Sequence, residues 1–411
     1  MPDSNAQPSS AEAAPLFPEG LVRWSGHRDG GVRRPFHRSS GRPTGSQIET
    51  PLVRRLRGWV ESLLQGESVP RALLLVGGPG NGKTDAVEGC IDSLDDALGA
   101  AGHLVEKFES RYTVQEGELP PRKVVVDLSG YPNSKSLGRQ TSLSLVQDAT
   151  EGDPSQGSSA EQLLLGDLED LIDRDRPGLF LCCVNRGILA RVASLAVGNA
   201  KYAETAQLLT SVTQAVTSGP RSPSCWPLGD FDHVAVWPMD VESLVEAGSS
   251  SNGLSVAHQI FSAALDEGSW KEPCDLGPRC PFCQNRKLLS RAGALDALIQ
   301  LLHYYELASG KRWTFRDLFS FVAYLLVGEY SELEIRGRRV SPCEWAAEQM
   351  RLAREGKVGS VERDRAPFLL LSRLYHHRLF PRWPSFDRGE HRSAKRELFK
   401  EKYTDEGLLH A

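Results

Sequence analysis

The chain has 411 residues, 40% of them apolar and 25% charged, with a net charge of −5. That length exceeds one ordinary domain, and the balance is that of a globular protein rather than a disordered or collagenous one. No apolar run reaches the roughly 18 residues of a membrane span, no basic segment followed by an apolar one opens the chain, and the acidic balance excludes a uniformly basic nucleic-acid binder. Eight cysteines in a chain of this length, with no secretory leader in view, read as free or metal-bound thiols in a reducing compartment. The expected location is therefore cytoplasmic, with no membrane partner.

Residues 1–48 are rich in Ser, Pro, Gly and Arg without periodicity and read as a mostly disordered arm. From Arg23 to Arg57 there are nine arginines against two acids, Asp29 and Glu49, and residues 373–402 are again basic. Such stretches suit contact with a DNA phosphate backbone, and equally suit solvated flanks. Thr50 and Pro51 give a helix start, with Leu52, Leu56, Val60 and Leu64 on one face.

The apolar residues 73–76 predict a buried strand. They run into Gly77-Gly78-Pro79-Gly80-Asn81-Gly82-Lys83-Thr84, which fits G-x-x-x-x-G-K-[ST], the P-loop or Walker A pattern. Val87, Ile91, Leu94 and Leu98 then recur at helical spacing. Strand, glycine-rich turn and helix are the parts this motif needs. The glycines let backbone N–H groups face phosphate oxygens, and the helix adds its positive end. Lys83 would reach the β- and γ-phosphates of ATP, and the Thr84 hydroxyl would hold Mg²⁺.

Further strands are expected at 124–128, 143–147, 179–184 and 232–237, with a crossover helix at 163–172 and flexible linkers at 130–142 and 150–159. This alternation predicts an α/β fold, a parallel sheet covered by helices. Beyond about residue 240 the pattern turns helical, with helices at 288–307 and 314–327. The expected domains are the arm (1–48), a P-loop core (49–245) and a helical domain (246–411).

Hydrolysis needs an acid for Mg²⁺, a group that orients water, and cations for developing charge. Asp127 and Asp148 each end an apolar strand, and Asp148 is preferred as belonging to the third strand. Ala149 follows it where many such ATPases carry a water-orienting glutamate, and Glu151 is shifted by two. Asn185 ends the fourth strand and either contacts the γ-phosphate or opens an N-R-G turn. Arg316, one turn into a helix capped by Thr314, either folds over the phosphates or is an exposed helix arginine. Arg221 is the candidate for an arginine finger serving a neighbouring subunit.

Cys274, Cys280 and Cys283 bring three thiols within ten residues. Cys-Pro-x-Cys can hold two thiolates on one Zn²⁺, in a structural role, with Cys225, Cys343 and His303 as alternatives for the fourth ligand. Three unbound thiols in a loop fit the same spacing.

Taken in order, these residues resemble an AAA+ ATPase: Walker A at 77–84, Walker B ending at Asp148, a sensor-1 polar residue at Asn185 and a helical lid with a sensor-2 arginine at Arg316. The resemblance covers residues 50–330 and implies an oligomeric, Mg²⁺-dependent ATPase. Ala149, and the interruption of the Walker B strand by Ser144 and Gln147, depart from the pattern and bear on hydrolysis more than on binding. The phrases at 142–153, 184–190, 280–288 and 313–322 are similar to the ATPase component of bacterial DNA-phosphorothioation-dependent restriction systems. That likeness implies a subunit of an anti-phage complex, acting with protein partners on DNA. A nucleotide-gated scaffold that hydrolyses little and recruits effectors is the alternative.

Overall fold

The computed structural model describes residues 16–22, 24, 42–114, 120–152, 157–218, 225–248, 253–271, 274, 276–277, 280–327, 334–335 and 338–356. In chain order the elements are α1 (Glu19–Val22), α2 (Pro51–Leu64), β1 (Ala72–Val76), α3 (Lys83–Leu98), α4 (His103–Tyr112), β2 (Lys123–Asp127), β3 (Ser142–Val146), α5 (Ala160–Ile172), β4 (Leu179–Val184), α6 (Arg186–Ala196), α7 (Ala203–Ser218) and β5 (Val234–Pro238). They continue with α8 (Val256–Leu265), α9 (Pro281–Leu289), α10 (Ala294–Ser309), α11 (Phe315–Val327), β6 (Glu334–Ile335), β7 (Arg338–Arg339) and α12 (Pro342–Arg354). The described residues all belong to one compact unit within Met1–Lys357.

Five strands make one sheet in the order β2-β3-β4-β1-β5. β1 is buried along its whole length, and its side chains alternate between two cores. Leu73 and Leu75 face one core with α2, α3 and α4; Ala72, Leu74 and Val76 face the other with α5, α6 and α7. The fold is thus α/β, with helices on both faces.

The sheet is not fully parallel. β3, β4, β1 and β5 run together, but β2 pairs antiparallel with β3. The reason lies in the connection. A parallel return needs a crossover, usually helical. Residues 128–141 carry only a short 3₁₀ turn and fold straight back, with the Leu128 N–H donating to the Thr141 carbonyl at 2.8 Å. The Asp167 carboxylate on α5 fixes β2 through Arg122 (2.7 Å) and Lys123 (2.8 Å). The reversal separates the two aspartates. Asp127 pairs with Ser142, at the start of β3, so it sits on the edge of the sheet opposite to Asp148.

Other boundaries follow local chemistry. Thr50 caps α2 by accepting from the Val53 N–H at 3.1 Å. Ser159 and Gln162 form a capping box that starts α5 at Ala160, ahead of the expected 163. The helix expected at 288–307 is two: α9 ends at Leu289, and α10 begins after Gly293, which has φ of +77°. The arm expected at 1–48 contains ordered pieces. Phe17, Leu21 and Trp24 are buried, with Trp24 edge-on to Phe319 on α11. Residues 42–48 lie along α3, where Arg42 meets Asp85 (2.9 Å) and Asp92 (3.3 Å).

Glu306 on α10 ties the helical part to the sheet. Its carboxylate is fully buried and accepts from the Ser243 hydroxyl (2.6 Å), the Trp313 N–H (2.9 Å) and Arg312 (3.0 Å). One side chain therefore anchors both the segment leaving β5 and the turn entering α11.

Candidate functional site

β1 hands over to the glycine loop at Gly77, whose N–H still donates to the Val184 carbonyl at 3.0 Å. Gly80 and Gly82 have φ of +84° and +80°, a region that side chains rarely tolerate. Space imposes the same choice. A Cβ on Gly80 would lie 2.9 Å from Arg316 Cβ, and one on Gly82 would lie 2.9 Å from the Phe315 ring. α3 starts at Lys83 with Gly82 as N-cap, so no side chain covers its first amides. A helix start without a capping side chain is a site for an anion.

The Lys83 ammonium donates to the Gly77 and Gly78 carbonyls at 2.6 and 2.8 Å. Burial holds its pKa below the usual lysine range, against the pull of Asp148 and Asp240. Asp240, just past β5, is a member of the site that sequence reasoning missed. Its Oδ1 accepts from the Gly78 N–H at 2.7 Å and from the Asn81 amide, while its Oδ2 meets Arg186 at 3.1 Å. The sequence signal is slight: an acid two residues after an apolar strand.

Register places Asp148 on the same sheet edge as the loop. Val146 pairs with Cys182, and Val184 pairs with Val76. Asp148 accepts from the Thr150 N–H (2.9 Å) and hydroxyl (2.7 Å), so it opens a turn, and it also lines the cavity above the glycine loop. Ala149 points the other way, fully buried in the core with α5 and α6. Glu151 lines the cavity beside Asp148. Partial burial, and then the Asp148 charge, raise its pKa above the usual carboxylate range.

Asn185 ends β4, between the strands that carry the glycine loop and Asp148. Its Oδ1 caps α6 by accepting from the Ile188 N–H at 2.9 Å, and it is not part of the cavity wall. Thr314 caps α11, accepting from the Asp317 N–H at 3.1 Å and donating to its carboxylate at 2.8 Å. Arg316, in the first turn, donates its N–H to the Gly80 carbonyl at 3.3 Å and lines the cavity. Arg221 lies outside the described residues.

The cavity measures about 670 Å³, within the range of small-molecule and cofactor sites. Its lining includes polar groups, the glycine loop, Lys83, Thr84, Asp148, Glu151 and Arg316, and apolar ones, Pro43, Ile48, Val53, Met239, Phe315 and Phe319. The segment 42–48 thus supplies wall to the site, a role its composition does not announce.

The sulfur atoms of Cys274, Cys280 and Cys283 lie within 4.8 Å of one another. Of the arginines in the basic stretch near the N-terminus, Arg54 and Arg57 meet Glu49, and Arg55 donates to the Trp226 carbonyl over its ring. No helix among the described residues is long and apolar enough to cross a membrane. Compared with protein families, curated proteins and solved structures, the chain matches none, so the site is read from its residues and geometry alone.

Proposed function

We propose that the chain binds ATP with Mg²⁺ in this cavity and hydrolyses it, as an AAA+-like subunit of a bacterial DNA restriction or anti-phage complex. The observation that carries the nucleotide reading is the convergence of the glycine loop, Lys83, Asp148, Glu151 and Arg316 on one cavity that apolar side chains also line. A nucleoside triphosphate calls for both kinds of wall, with a charged tail and a flat, weakly polar base.

The donor set suits the cation: the Thr84 hydroxyl and the Asp148 carboxylate are hard oxygen groups that would hold Mg²⁺ beside the phosphates. When bound, it would supply charge neutralisation at the phosphate oxygens. The first amides of α3 and the Lys83 ammonium bind and orient the phosphates. For Lys83 this means exchanging the Gly77 and Gly78 carbonyls for phosphate oxygens. Arg316 adds positive charge from the helical side. Glu151 takes the water-orienting role that Ala149 cannot fill, and its raised pKa suits it to accept a proton. The α10–α11 region acts as the lid. The wider setting, with homo-oligomers, protein partners and DNA, rests on the resemblance of the sequence phrases.

A second reading, a nucleotide-gated scaffold with little turnover, is favoured by one observation: Lys83 is engaged by its own loop. Steady-state ATP turnover separates the two, measured with and without duplex DNA for the wild type, Lys83→Ala, Asp148→Ala and Glu151→Gln. The hydrolytic reading expects each variant to fall at least about tenfold, the scale of a lost catalytic group. Wild-type turnover no faster than Lys83→Ala in all conditions, with ATP still bound, leaves the scaffold.

A further inference from the structure

The eight cysteines divide into two groups. Cys90, Cys182, Cys183 and Cys225 are fully inside the two cores, where a thiol packs as a small apolar group. Cys225 donates to the Ala215 carbonyl at 3.4 Å within the core that α5, α6 and α7 share with the sheet. The remaining four meet at one place. Cys274, Cys280 and Cys283 have sulfurs within 4.8 Å of one another. Cys343, about 60 residues further along the chain, lies outside that 4.8 Å group, and its thiol interacts with those of Cys280 and Cys274. None of the eight is in a disulfide.

The separations approach those of a metal centre. Sulfurs at about 2.3 Å from a tetrahedral zinc lie about 3.8 Å apart, so a small inward shift brings Cys274, Cys280 and Cys283 to that spacing. Cys280 is the N-cap of α9 and Cys283 lies in its first turn, while Cys343 is the second residue of α12. Two helix starts thus adjoin the cluster, and their positive ends would offset part of the charge of four thiolates on one divalent ion. Each start is independently fixed: Pro281 opens α9, and Ser341 and Glu344 exchange capping bonds at 3.2 and 3.1 Å ahead of α12.

We propose that Cys274, Cys280, Cys283 and Cys343 hold one Zn²⁺ in a closed tetrathiolate site, with Cys343 as the fourth ligand. His303, the remaining candidate from the sequence, lies on α10. Four protein ligands leave no position for water, so the site is structural. It staples α12 to α9. α9 in turn is held to α11 through Asn285, whose amide donates to the Leu326 carbonyl at 3.1 Å. Zinc therefore braces the helix that brings Phe315 and Arg316 to the glycine loop, whatever the cavity binds.

The test is elemental analysis of the full chain, purified without metal-affinity steps, together with X-ray absorption at the zinc edge. The expected result is one zinc per chain surrounded by four sulfurs at about 2.3 Å. Cys343→Ser should weaken zinc retention against a chelator at least tenfold, while Cys225→Ser should leave it unchanged. Folded wild-type protein that neither contains nor takes up zinc overturns the site, as does iron in its place or a disulfide found by intact mass. Three sulfurs plus one nitrogen or oxygen in the wild-type spectrum overturns Cys343, and that reading needs no variant to fold.

Discussion

The two walls of the cavity are built by different means. The sheet-side wall is local: β1, the glycine loop and α3 are contiguous, and positive-φ glycines with an uncapped helix start fix their shape over a dozen residues. The helical wall is assembled at a distance. Phe315 and Arg316 reach the loop because Glu306 anchors the α10–α11 turn to the segment leaving β5. That same segment carries Asp240, which braces the loop from below. The first wall should therefore survive changes that the second does not.

The most damaging change should be one at the distant wall. Glu306→Ala strands the buried Ser243 hydroxyl and Trp313 N–H, and should cost about 3 kcal/mol in denaturant unfolding, from two unsatisfied buried groups. Nucleotide affinity should fall with it, whereas Glu306→Gln, which keeps an acceptor, should recover much of both. Unchanged stability in Glu306→Ala would remove the carboxylate as anchor.

Next is the contact between the walls. Gly82→Ala meets both a left-handed φ and the Phe315 ring, and should cost about 2 kcal/mol or more. Gly66→Ala, with φ of +74° and nothing within 4 Å, carries only the backbone cost. Equal losses in the two variants would mean that Phe315 does not press on the loop. Asp240→Asn should be the mildest, about 1.5 kcal/mol for weakened charge-assisted hydrogen bonds, read as a roughly tenfold loss of affinity for a fluorescent ATP analogue with little change in the far-UV spectrum.

Much of the sheet-side wall is legible in the sequence because its signals are short-range. The apolar run, the glycine spacing and the helical period around residues 72–98 need no partner to be recognised, and Thr50 and Thr314 cap the helices that their positions announce. Asp240 and Glu306 are not legible. One is a single acid after a strand and the other a single acid in an amphipathic helix, and only their partners give them meaning. Ala149 is legible as a departure, but its cause is not: the backbone turns position 149 into the core and leaves Glu151 on the cavity.

Residues a few positions apart suffice to set the elements, their caps and the conformation of the glycine loop, so the chain alone announces them. The direction of β2, and with it the choice of aspartate that shares an edge with the loop, is settled in three dimensions. An alternating apolar strand reads the same in either direction, and pairing with β3 alone breaks that symmetry. The proposed joining of Cys343 to three thiols about 60 residues upstream is of the same kind. Spacing along the chain carries no measure of distance across it once helices fold back between the ends.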